Sequence, residues 1–145
     1  MSADDRLAII EAIQRYSHAV DSRDAEAYTA LFSIRGVFQV TSVAHPEPFM
    51  YAEGHDGILE WVRGTMDSWG DVQTRHNQSG TVFDELSADT ARTRTMLLES
   101  RKWPDRPLPG LWTQGVYTDD WVREPDGWRI TRRALHLDIP PRPGR

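Results

Sequence analysis

The chain has no cysteine, and the residues whose type and placing suggest chemistry are histidines, carboxylates and a tyrosine. Disulfides, thiolate nucleophiles and zinc–thiolate sites are thereby excluded. Asp21 falls where a first helical pattern ends, His76 falls early on a strand-like run, and Glu99 lies on the run that follows. An imidazole can take a carbon-bound or hydroxyl proton. A carboxylate behind it fixes the tautomer and stabilises the imidazolium. Glu99 alternates with Ala91, Thr93, Thr95 and Leu97, so an inward face would place a carboxyl in the interior, suited to general-acid work. Each residue also has a plainer reading. Asp21 can cap a second helix or pair with Arg23, His76 can be a hydrogen-bonded histidine without a role, and Glu99 can pair with Arg101.

The remaining histidines carry less signal. His18 sits one turn before Asp21 as a helix-surface or interface residue, His45 and His55 belong to loops, and His136 reaches either a pocket mouth or a sheet edge. No two stand at a ligand spacing such as His-x-x-x-His, and no metal is expected. Arg92, Arg94, Arg129, Arg132 and Arg133 read as a solvated sheet face or dimer interface, with Glu85, Asp119 and Glu124 near enough to neutralise several.

These groups must be held by elements that the periodicity outlines. Residues 4 to 21 read as a helix with Leu7, Ile10, Ile13, Ser17 and Val20 along one stripe, Ile9 and Tyr16 beside it, and Ser2 or Asp4 as cap. A short helix from Asp24 to Phe32 follows, with Asp24 as its cap. Then come strands over 37 to 41 and 49 to 52, and a helix between Gly54 and Gly70 carrying Ile58, Leu59, Val62 and Met66. Four long strands fill the rest, at 73 to 83, 90 to 103, 111 to 123 and 127 to 137. The Pro125-Asp126-Gly127 turn joins the last two, and Trp128, Ile130 and Ala134 share one face. Helices first and antiparallel strands after them give an α+β domain over residues 1 to 139, followed by a flexible Pro-rich tail from 140 to 145.

At 145 residues, 39% of them hydrophobic and six of them Trp, the chain can bury one core. A net charge of -5, with arginines interleaved among acids, speaks against nucleic acid as a partner. The acidic start lacks the basic region and apolar run of a signal peptide, and no apolar stretch approaches the ~20 residues of a membrane span. A cytoplasmic protein without a membrane partner is expected. No Gly-rich loop follows a strand, which speaks against a nucleotide enzyme.

Several pieces, in order along most of the chain, resemble the SnoaL-like branch of the nuclear transport factor two-like superfamily. They are residues 5 to 13 with Tyr16, Asp21, Asp24 and Leu31-Phe32; Arg75-His76-Asn77; Thr90-Ala91-Arg92-Thr93-Arg94; Gly115 to Asp119; and Asp126 to Ile130. The resemblance implies a cone-shaped α+β barrel, in which a strongly curved sheet encloses a deep pocket, commonly in a homodimer. Members include polyketide cyclases, scytalone and bile-acid dehydratases, a dehydrochlorinase and ketosteroid isomerases, beside non-catalytic binding and assembly subunits. It further implies that Asp21 and His76 match a base dyad, that Tyr16 matches a tyrosine donating to a carbonyl or departing oxygen, and that Glu99 matches an acid of the dehydratase-like members. Tyr16 also belongs near the buried face of its helix, which is reason enough for it to be there.

Phe38, Met50, Met66 and Tyr117, with one or two of the tryptophans, are expected to line the pocket and favour an apolar or aromatic ligand, while Asn77 could polarise its oxygen. Two functions follow. One is a cofactor-free lyase or isomerase (dehydratase, isomerase or cyclase) acting on a small apolar cyclic or aromatic substrate. The other is a non-catalytic binding or assembly domain that keeps the pocket.

Overall fold

The computed structural model describes residues 2–142. Helix α1 spans Ala3–Asp21, α2 Ala25–Ala30 and α3 Gly54–Ser68; strands are β1 Phe32–Ser42, β2 His45–Glu53, β3 Gln73–Leu86, β4 Thr90–Lys102, β5 Gly110–Glu124 and β6 Gly127–Leu137. The strands form one sheet in the order β2-β1-β6-β5-β4-β3. Only β1 and β6 pair in parallel; every other neighbour is antiparallel. The fold is α+β, as expected. The sheet is mixed and curls round a pocket without closing, leaving β2 and β3 as its edges.

Ser2 starts α1 through a capping box with Asp5, and Asp24 caps α2 through the Ala27 amide. The buried stripe of α1 is Ile9, Ile13, Tyr16, Ser17 and Val20; it keeps Ile13, Ser17 and Val20 of the expected stripe, whereas Leu7 is exposed and Ile10 half-buried. Periodicity cannot choose between adjacent apolar residues such as Ile9 and Ile10, whereas packing on β3 and β6 does. At the other end, Asp5 accepts bonds from Arg123 and from the Trp128 indole, tying the helix start to the β5–β6 hairpin.

Strand β1 begins at Phe32, before the expected opening at Val37. Phe32 already pairs with Ile130, and residues 33 to 36 bulge before pairing resumes at Val37. The second helix accordingly stops at Ala30, short of the expected Phe32. The β5–β6 turn falls where the sequence placed it, with Gly127 at φ 130°. One extra residue, Thr131, interrupts the β5–β6 register between Ile130 and Arg132 and donates to the Asp120 carbonyl at 3.1 Å. Because strand side chains alternate, that residue reverses the inward set. Trp128 and Ile130 are buried, and after the bulge so are Arg133, Leu135 and Leu137, not the expected Ala134.

Pro140, Pro141 and Arg142 are neither helix nor strand, and residues 143–145 of the expected tail lie outside the described residues. Among the described residues no helix is long and apolar enough to cross a membrane.

Candidate active site

Asp21 is the last residue of α1, an unfavourable place for a carboxylate because the helix dipole puts negative potential there. It is held by donors from β3. His76 Nδ1 lies 2.7 Å from Oδ1, the His76 backbone N–H donates to Oδ2 at 2.9 Å, and the Thr74 hydroxyl donates to Oδ1 at 2.9 Å. Burial pushes the Asp21 carboxyl up, but these bonds and the His76 charge outweigh it and hold the group below its ordinary value. The chain then turns through Arg23, a non-glycine residue at φ 64°. Its guanidinium donates to the Val72 carbonyl and to Thr74 Oγ1 and lies 4.7 Å over the Trp69 ring, bracing the helix end against β3.

A carboxylate can only accept, so Nδ1 of His76 carries the proton of the Asp21 bond and Nε2 is the ring's free lone pair when the imidazole is neutral. His76 borders a cavity of about 220 Å³. Glu99 Oε2 is 3.7 Å from Nε2, beyond hydrogen-bond length, while Glu99 Oε1 accepts from Arg101 Nε at 2.8 Å. A proton gained at Nε2 would therefore create an imidazolium flanked by two carboxylates. Glu99 does face inward, and so do Ala91, Thr93, Thr95, Leu97 and Arg101 on alternate positions of β4.

The walls are largely aromatic. Trp61, Val62 and Thr65 come from α3 and Trp69 from its C-cap, Tyr16 and Val20 from α1, and Phe38 and Tyr117 from the sheet. Tyr16 and Tyr28 are buried with their hydroxyls 2.7 Å apart, and burial pushes both phenols up. Three tryptophans, Trp61, Trp69 and Trp112, border the cavity. On the other side of His76 lies a separate polar groove between α1 and β3, bordered by Asp21, His18, Gln14 and Asn77.

The structure thus brings Asp21, His76, Tyr16, Glu99, Phe38 and Tyr117 to one place. Three expected lining residues are elsewhere. Asn77 is exposed on the outer face, because alternation along β3 turns Thr74, His76 and Gln78 inward and the residues between them outward. Met66 is buried but faces the groove shared by α2 and the end of α3, since the cavity side of α3 follows Trp61, Thr65 and Trp69 at four-residue steps. Met50 stands opposite Val40 on the edge strand β2 and packs against the core, while Val40 and Phe49 form that part of the wall.

Arg133 also departs from expectation. Arg92, Arg94 and Arg129 are paired with Asp120, Asp84 and Asp126 toward solvent, but Arg133 is wholly buried. Its Nε lies 3.0 Å from Asp119 Oδ1, although the N–H is not aimed well enough for a hydrogen bond; its terminal nitrogen donates to Gln78. Its guanidinium carbon lies 4.0 Å from the Tyr16 ring centre and 3.6 Å from that of Tyr117. Burial pushes the Asp119 carboxyl up to about 6 against the opposing charge of Arg133. The β6 bulge is the cause of the inward turn, and nothing in the local alternation announces it. Arg101 was legible: it shares the inward parity of Glu99, and the sequence reading used it only as a possible partner.

The chain belongs to the SnoaL-like domain family, which it matches over residues 1–134. A Mycobacterium tuberculosis protein described as uncharacterized is 28% identical over 138 residues, covering 90% of this chain and 83% of that one. An NTF2-like protein with a cystatin-like fold from Novosphingobium aromaticivorans is 27% identical with a TM-score of 0.79, over 92% of this chain and 82% of the other. A candidate scytalone dehydratase from the same organism shares the fold at 23% identity and TM-score 0.78, over 99% and 95% of the two chains.

Proposed function

We propose that this protein is a cofactor-free lyase or isomerase that moves protons on a small apolar cyclic or aromatic substrate, as a cytoplasmic homodimer. The observation that carries this reading is the placement of His76, whose Nδ1 is anchored to Asp21 at 2.7 Å while the ring borders an aromatic-walled cavity. His76 Nε2 takes a proton next to a carbonyl or leaving group, and Asp21 holds the ring and stabilises the imidazolium. The Tyr16 hydroxyl, paired with Tyr28, is the neutral donor for oxygen that gains charge or departs. A dehydratase is the preferred member of this class, because Tyr16 and Asp21 keep the spacing of dehydratase-like relatives. The family and the candidate dehydratase that shares the fold support an enzyme of this kind.

A second reading has its own observation. Asp21 takes three hydrogen bonds that lock the end of α1 to β3, so the same constellation would also serve a binding domain without turnover. A screen of aromatic ketones, enones and hydroxylated ring compounds, with product detection by mass spectrometry, separates the two. Turnover by the wild type that falls about 10²–10⁴-fold in His76→Ala supports the enzyme. Ligands that bind and emerge unchanged, or turnover untouched by the substitution, overturn it.

A further inference from the structure

Arg101 has a feature that proton transfer does not use. It is only 8% exposed, and its one hydrogen bond, from Nε to Glu99, leaves both terminal nitrogens without a protein partner among the described residues. Those nitrogens keep some exposure, so an acceptor that enters the cavity can reach them. Arg101 borders the cavity, its guanidinium carbon 4.1 Å from the Trp112 ring centre and 5.4 Å from that of Trp69. Arg142 also borders the cavity, 4.2 Å from the same Trp112 ring, and is fixed by donation to the Leu111 and Trp112 carbonyls at 3.3 and 3.0 Å. One indole therefore carries two guanidinium groups.

We infer that Arg101, with Arg142, binds a carboxylate on the substrate, so that the ligand is a one- or two-ring acid. The inference rests on the reading of this cavity as the substrate site. The charge count favours an anion at this end. Glu99 offsets one of the two guanidinium groups and Arg142 supplies a second, while Asp21 lies behind His76 with Arg23 beside it. With Nε taken by Glu99, the two terminal nitrogens form the end-on fork that matches the two oxygens of a carboxylate. Size limits the rest of the ligand. A dry cavity of about 150 Å³ accepts benzene, so about 220 Å³ suits one substituted ring or a compact fused pair.

The test is calorimetric titration of the full chain with naphthoate and with naphthamide, which has the same shape without the charge. Naphthoate should bind at least about tenfold more tightly. The preference should vanish in Arg101→Gln and in the charge-balanced E99Q/R101Q double variant, and narrow in R142Q, whose side chain is exposed. Equal affinities, binding of neither compound, or a preference that survives both Arg101 variants would overturn the inference. His76→Ala should keep the naphthoate preference. If His76→Ala also keeps full turnover of a substrate, the proposed chemistry fails while the carboxylate site stands.

Discussion

Asp21 grips His76 at two points, one oxygen on the ring nitrogen at 2.7 Å and the other on the backbone N–H of the same residue at 2.9 Å. A single bond would orient the imidazole but leave its Cα free to shift with the strand. Two bonds from one carboxylate fix side chain and backbone together, and they join α1 to the strand that carries the base.

This grip predicts how Asp21→Asn behaves. An amide can still accept one bond, but it loses the charge that stabilises an imidazolium. Turnover of a substrate found by screening should fall by about 10²–10⁴-fold, while the affinity for a non-reacting ligand changes only a few-fold. Steady-state kinetics beside calorimetry checks the split; equal losses in both would mean that Asp21 only shapes the pocket.

Stability against pH should show two windows of opposite sign. The Asp21 carboxyl is held below its ordinary 3.8, so its contribution is complete above that value and is lost as pH falls through the lowered one. Asp119 is pushed up from 3.8 to about 6. Between those values the folded protein keeps a proton that the unfolded chain has released, so stability falls as pH rises through the window. Urea denaturation from pH 3 to 8 should show the second slope in the wild type and a flattened one in Asp119→Asn.

The Arg133–Asp119 pair gives a third prediction. Both side chains are wholly buried, so removing one partner strands the other charge. Arg133→Met should cost about 3–5 kcal/mol in urea titration. The double variant R133M/D119L should recover much of that loss, because the desolvation of both ions disappears together. A double variant as unstable as the single one would show that the contacts of Arg133 with Tyr16, Tyr117 and Gln78 matter more than the ion pair.

Much of this architecture was legible in the sequence because long amphipathic segments declare their period. The α1 helix, the late hairpin and the alternating set of β4 follow from apolar spacing and turn chemistry, whereas spacing left open which β4 face turns inward, and Glu99 with it. What stayed hidden depends on local insertions and on which of two adjacent apolar residues meets a neighbour. Ile9 rather than Ile10 faces the sheet, and Met66 misses the cavity by one position on its helix. Arg133 is the sharpest case. By composition it belongs with four surface arginines, and one extra residue upstream sends it into the core. Asp21 fell at the end of α1 by the same periodicity, but the partners that hold it there come from another element and were singled out only through the family resemblance.

That extra residue, Thr131, works as a phase inverter. Ahead of it the even-numbered positions of β6 look inward, and after it the odd-numbered ones do. Deleting Thr131 alone would leave an unbroken alternation, with Trp128, Ile130, Arg133, Leu135 and Leu137 still inward. Deleting Thr131 and Arg132 together would instead turn Ala134 and His136 into the cavity wall and Arg133 out of its place between two tyrosines. Deletions of one and of two residues in this short stretch should therefore differ sharply, and the chemistry inside the pocket is written partly in the count of residues outside it.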